Sequence, residues 1–231
     1  YGLSGAELRQ LLDDVGLQAP SCHVPVKQML EDPEGVIALY KQIGCKYIAL
    51  PYVEEHHRPG YPGFAELIPL IYRFGQMCKA AGMQLLYHNH DFEFEPVSGM
   101  YGLDFLYTAV PADLLKTELD TCWVHYVGVN PVDYLAKYAG RSPVVHLKDY
   151  VGVKGDTAPY QLIGMDINPE AAKAAFAFKP YGHGIQDVDA LTQAAIDAGA
   201  EWLVIEQDDS PDIPPLEASA LSIATLRKQG L

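Results

Sequence analysis

Six short apolar runs alternate with amphipathic helical stretches, in units of roughly 30 residues, and that order builds a parallel sheet covered by helices. The runs are LQAPSCHVP (17–25), CKYIALPYV (45–53), LLYHNHDFEF (85–94), LLKTELDTCW (114–123), PVVHLKD (143–149) and EWLVIEQ (201–207). Most are apolar throughout, as strands buried on both faces are. The helices between them carry start and stop signals. Ser4 and Glu7 make a capping box for a helix over Tyr1–Gly16. Asp32-Pro33 opens a helix that Gly44 ends, and Asn130-Pro131 opens one through Tyr138. Further helices are expected at Phe64–Ala81, Gly102–Val110, Asp187–Ala198 and Leu216–Gln229. Glu54–Gly63 reads as a loop. Tyr150–Tyr181 breaks the rhythm, as a longer loop with one short helix after Asn168-Pro169.

Two architectures fit this alternation, an open doubly wound sheet and a (β/α)₈ TIM barrel. No GxGxxG follows the first strand, so the usual dinucleotide signal is missing. Polar groups at the C-terminal ends of many different strands favour the barrel, where such ends converge on one face. A barrel needs eight strands. A single TIM-barrel domain spanning 1–231 is therefore expected to lack its first two strands and first helix, about 40 residues before Tyr1.

Charge and cysteine usage narrow the function. The chain carries 30 acidic against 16 Lys and Arg side chains, a net charge of −14. This argues against a nucleic-acid partner, which needs basic patches. No apolar stretch is long enough to span a membrane. Cys22, Cys45, Cys78 and Cys122 lack CxxC spacing and suit buried free thiols in a reducing, cytoplasmic compartment, although the chain opens at Tyr1 and a leader is not excluded. Edge loops with Tyr, Pro and Met suit a homodimer.

Ligand-type side chains gather at successive strand ends: His88, His90, Asp91, Glu93 and Glu95, then Asp120, then His146, then Glu206. Carboxylates converging in one pocket repel one another without a cation. Glu93, Asp120, His146 and Glu206 therefore suit one divalent ion, Mn²⁺ first, with Mg²⁺, Co²⁺ or Zn²⁺ also compatible. The bland alternative is that each acid is a helix cap or a solvated loop charge.

HNHDFEF, LDTCW, HLKD and VIEQD, in this order on successive units, resemble the xylose isomerase-like TIM barrel superfamily. The similar branch holds sugar phosphate isomerases/epimerases, with inosose dehydratase and ketose 3-epimerases among its relatives. The resemblance covers the chain from Tyr1. It implies a metal held by Glu93, Asp120, His146 and Glu206, with Glu93 chosen over Glu95 by the motif. It also implies that Glu93 and Glu206 transfer the proton. Many relatives have GEG where this chain has Gly182-His183-Gly184, so His183 is expected to alter the sugar-binding edge.

Other side chains are substrate-binding candidates. His88 and His90 alternate with Asn89 and so share a face. His23 ends an earlier strand, and Lys148 follows His146 by two as an oxyanion partner. Arg58 sits in a loop over the pocket, and Trp123 suits either a sugar ring or the core. The expected function is metal-dependent isomerisation or epimerisation of a sugar or keto sugar. A lyase on the same site is the alternative, either a polyol dehydratase or a 3-keto-glycoside eliminase. A sugar-binding protein without catalysis is the alternative of another class. Abasic-site endonucleases of the same superfamily are disfavoured by the acidity and by too few ligands.

Overall fold

Ser4 starts the first helix as its sequence predicts: its hydroxyl accepts from the Glu7 amide, and the Glu7 carboxylate accepts from the Ser4 amide in return. The computed structural model describes residues 2–154, 176–210 and 212–231. The helix expected after Asn168-Pro169 lies outside the described residues. The chain divides into two compact units, Tyr1–Glu118 and Leu119–Leu231.

The first unit begins with α1 (Gly5–Asp14), β1 (Ser21–His23), α2 (Val26–Glu31), α3 (Pro33–Ile43) and β2 (Tyr47–Leu50). It continues with α4 (Phe64–Ala80), β3 (Gln84–His88), the hairpin arms β4 (Pro96–Val97) and β5 (Met100–Tyr101), α5 (Gly102–Ala109) and β6 (Leu115–Asp120), which crosses the boundary. Strand β1 pairs with β2, β2 with β3 and β3 with β6, all parallel. Every residue of β2 is buried, as expected of a strand covered on both faces. Asp32 caps α3 by accepting from the Gly35 amide, with Pro33 at its first position. Gly44 ends that helix at φ 102°, a left-handed conformation that a side chain would strain.

The second unit holds α6 (Thr121–Tyr126), α7 (Pro131–Lys137), β7 (Val144–Leu147), β8 (Asp149–Gly152), β9 (Phe176–Lys179), α8 (Val188–Asp197), β10 (Trp202–Ile205) and α9 (Pro215–Lys228). Strands β7 and β10 are parallel. Strands β8 and β9 form an antiparallel ribbon that the sequence pattern did not predict. Its aromatic side chains Tyr150, Phe176 and Phe178 pack with Cys122, Trp123 and Tyr126 into a buried cluster.

Three elements differ from expectation. Helix α2 occupies Val26–Glu31, where only a connection was expected. The run at 85–95 stops being a strand at His88 and turns through a 3₁₀ segment at Phe92–Phe94. Glu93 and Glu95 therefore do not alternate along an extended chain: Glu93 is fully buried and Glu95 is exposed. Finally, strand β6 ends at Asp120, so Trp123 lies on a helix.

Candidate functional site

Asp120 is oriented by the helix it starts. Its Oδ1 accepts from the Cys122 amide at 2.8 Å and from the Trp123 amide at 3.4 Å, capping α6. Its Oδ2 lies 3.4 Å from the Lys148 ammonium. Lys148 follows β7 and is almost fully buried. Its Nζ also lies 2.9 Å from Glu206 Oε2 and 2.7 Å from Asp208 Oδ2. The same ammonium stands 5.2 Å from the ring centres of both Trp123 and Phe178, within cation–π range. Glu206, just past β10, also approaches His146 Nδ1 at 3.1 Å. One ligand atom each from Asp120, His146 and Glu206 lies within 4.8 Å of the others.

Burial controls the electrostatics here. It pushes the Asp120 carboxyl up to about 7, with the Lys148 charge pulling the other way. Asp208 is raised for the same first reason. Burial alone would lower the Lys148 ammonium. The carboxylates of Asp120, Glu206 and Asp208 outweigh it and hold the group well above its usual value. Two carboxylates and an imidazole turned toward one point, with positive charge already drawn to them, form a donor set that fits a divalent ion.

In the first unit, Glu93 is held inside its own turn. Oε1 accepts from the Tyr87 hydroxyl and Oε2 from the His90 amide, each at 2.8 Å. Burial pushes this carboxyl up to about 8, although both hydrogen bonds lower it. The His90 ring stacks on Phe92 at 5.5 Å and lies 5.2 Å from the His88 ring, so the two histidines meet as their spacing predicts. Arg58 is not a solvated loop charge. Its guanidinium lies 4.1 Å from the Phe92 ring centre and donates to the Tyr52 hydroxyl and, at 3.4 Å, to the Val53 carbonyl. His23 contacts the fully buried Glu118, which also accepts from Ser21 at 2.8 Å.

Two candidates remain, Trp123 and His183. Trp123 has no exposed surface and stacks on Phe176, which is the core role. His183 is exposed and lines a cavity of about 190 Å³ with Lys179, Gln207 and Asp212. Its loop is set by Asp149, which accepts from the Gly182 and Gly184 amides. A Cβ at Gly184 would stand 2.1 Å from Asp149 Oδ1, so only glycine fits. Sequence reasoning passed over Glu118, Asp208 and Tyr87. The first two had a usable signal, since each lies two residues from a singled-out acid. Tyr87 had none, because its partner approaches only through the turn.

The family profile described as xylose isomerase-like TIM barrel matches residues 4–229. The chain belongs to this family. It is 31% identical over 152 residues to an inosose dehydratase of Clostridium botulinum, a match covering 63% of this chain and 47% of that protein. The chain thus spans about half the length of the curated relatives it matches. A sugar phosphate isomerase/epimerase of Parabacteroides distasonis superposes with a TM-score of 0.74 at 18% identity, covering 99% of this chain and 78% of that one. A probable 3-DHS dehydratase of Bacillus anthracis superposes with a TM-score of 0.69 at 15% identity, covering 95% and 80%. These superpositions bear out the (β/α) barrel-type fold. Among the described residues, no helix is long and apolar enough to cross a membrane.

Proposed function

We propose that this chain carries a metal-dependent isomerase or epimerase site for a sugar or keto sugar, acting by proton removal beside a carbonyl. The observation that carries the reading is the group Asp120, His146 and Glu206 gathered with Lys148 within one unit. Those three side chains would hold the ion, and a bound ion would supply Lewis-acid polarisation of the substrate carbonyl. Lys148 shares its ammonium among Asp120, Glu206 and Asp208. Its ammonium is suited to the oxygen on which negative charge develops. Glu206, half-buried, is suited to take the proton from carbon. In the first unit, Glu93, raised to about 8, is a carboxylate able to exchange a proton near neutral pH.

Metal content tests the reading first. The wild type should retain about one Mn²⁺, Co²⁺, Mg²⁺ or Zn²⁺ through these ligands, and Asp120→Ala with His146→Ala should lose it. Solvent deuterium should then enter a keto sugar without net elimination. The likeness to inosose dehydratases favours one second reading, a lyase sharing the first step. Loss of water from an inosose or related keto polyol, in place of simple exchange, would select it. A metal-loaded protein that exchanges no proton with any keto sugar would leave a sugar-binding protein.

A further inference from the structure

We propose that the cavity where α6, α7 and α8 meet is a second binding site, one that takes a small neutral ligand rich in hydroxyl groups. The cavity holds about 360 Å³, and its lining includes His125, Val129, Pro131, Gln186, Asp187 and Leu191. That volume sits near the low end for small-molecule sites, about 300–1,000 Å³, and suits a ligand of monosaccharide size. None of Asp120, His146, Lys148 and Glu206 lines it, so it stands apart from the proposed ion site.

Two helix starts build the cavity. Gly128, at φ 83°, turns the chain between α6 and α7. Asn130 caps α7 by accepting from the Val132 amide at 2.9 Å, and Asp187 caps α8 by accepting from the Ala190 amide at 3.1 Å. Gln186 precedes the second cap and is 9% exposed. Its Nε2 donates to the Lys148 carbonyl at 2.5 Å. A carbonyl only accepts, so this bond fixes which way the amide faces and leaves Oε1 as its other end. No donor among the described residues reaches Oε1. Buried amide oxygens are normally matched, and a ligand hydroxyl in the cavity would match this one.

His125 supplies the second polar contact. Its Nδ1 lies 2.8 Å from the Tyr150 hydroxyl. Either atom of that pair can donate, so Nε2 is a donor in one tautomer and an acceptor in the other. A hydroxyl does both and serves either tautomer. Val129, Pro131 and Leu191 give an apolar wall for the carbon face of a ring. Charge decides against anions. No Lys or Arg lines the cavity, and the exposed Asp187 adds a negative charge to it. A phosphate or carboxylate would be repelled there with nothing to pair it.

The test titrates the full chain, stripped of metal with a chelator, with D-glucose and with D-sorbitol, and follows the backbone amides by NMR. Either polyol, in roughly the millimolar range, should shift the Val129 and Leu191 signals saturably. Gln186→Met removes the lone acceptor at similar volume and should weaken binding about tenfold. Val129→Trp fills the cavity from a half-buried wall and should abolish it. Glucose 6-phosphate should bind more weakly than glucose at these signals. Asp120→Ala with His146→Ala should leave them responding as in the wild type, so this site and the proposed ion site fail separately. Circular dichroism checks the fold of each variant. No saturable shift with either polyol would overturn the site. So would binding unchanged in a folded Gln186→Met or Val129→Trp variant, or tighter binding of glucose 6-phosphate than of glucose.

Discussion

Buried Glu93 is held by neutral donors in one unit, and three acids share an ammonium in the other. In Tyr1–Glu118, Glu93 leans on the Tyr87 hydroxyl and the His90 amide, and Glu118 on the Ser21 hydroxyl and imidazole. In Leu119–Leu231, Asp120, Glu206 and Asp208 surround the single charge of Lys148. Neutral donors fix geometry without cancelling charge, so Glu93 rises to about 8. An ammonium cancels charge but gathers acids that repel one another once it is gone. The second arrangement should therefore be the more fragile to a single substitution and the more responsive to an added cation.

The largest effect tests that fragility. Lys148→Met should destabilise the metal-free protein by roughly 3–5 kcal/mol, because it leaves buried carboxylates uncompensated. Urea unfolding measures it, and saturating Mn²⁺ should recover part of the loss. A loss below 1 kcal/mol would mean that the carboxylates simply take up protons, and the contrast between the units would collapse.

The next prediction addresses the neutral-donor unit through pH. The Glu93 carboxyl has a folded value of about 8 against an ordinary 4.5. Folding therefore binds a proton. The stability this contributes is full below about 4.5 and is lost as pH rises toward about 8. Glu93→Gln should flatten that part of the unfolding free energy across this window in metal-free protein. Asp120, raised to about 7, contributes a slope of the same sign that the variant keeps. An unchanged slope would show that Glu93 is ionised in the fold.

Tyr87→Phe should cost about 1–3 kcal/mol, the range for leaving a buried hydrogen-bonded group unmatched. It touches the feature the sequence concealed. The alternation of strands and helices was legible, as were the Ser4–Glu7 box, the Asp32 cap and the Gly44 stop, because each is set by residues close in the chain. Asp120, His146 and Glu206 were legible as polar groups ending apolar runs. The turn at Phe92–Phe94 was not. LLYHNHDFEF alternates well enough to pass for a strand, and what breaks it is Glu93 accepting from the His90 amide and the Tyr87 hydroxyl. Trp123 misled for a related reason: the Asp120 cap starts a helix where the apolar run appeared to continue. The ribbon of β8 and β9 joins segments separated by the long connection, and no local pattern marks it.

Ser21→Ala is the smallest expected effect and the sharpest on mechanism. It removes one hydroxyl from Glu118 Oε2 and should cost about 1 kcal/mol, the net worth of a typical hydrogen bond. A neutral donor carries no net charge to screen, so the loss should be the same at low and high ionic strength. If Ser21→Ala instead costs as much as Lys148→Met, then geometry rather than charge limits how these acids are buried. The two units would then differ only in the donors they happen to use. If it costs nothing, the hydroxyl orients Glu118 without stabilising the fold.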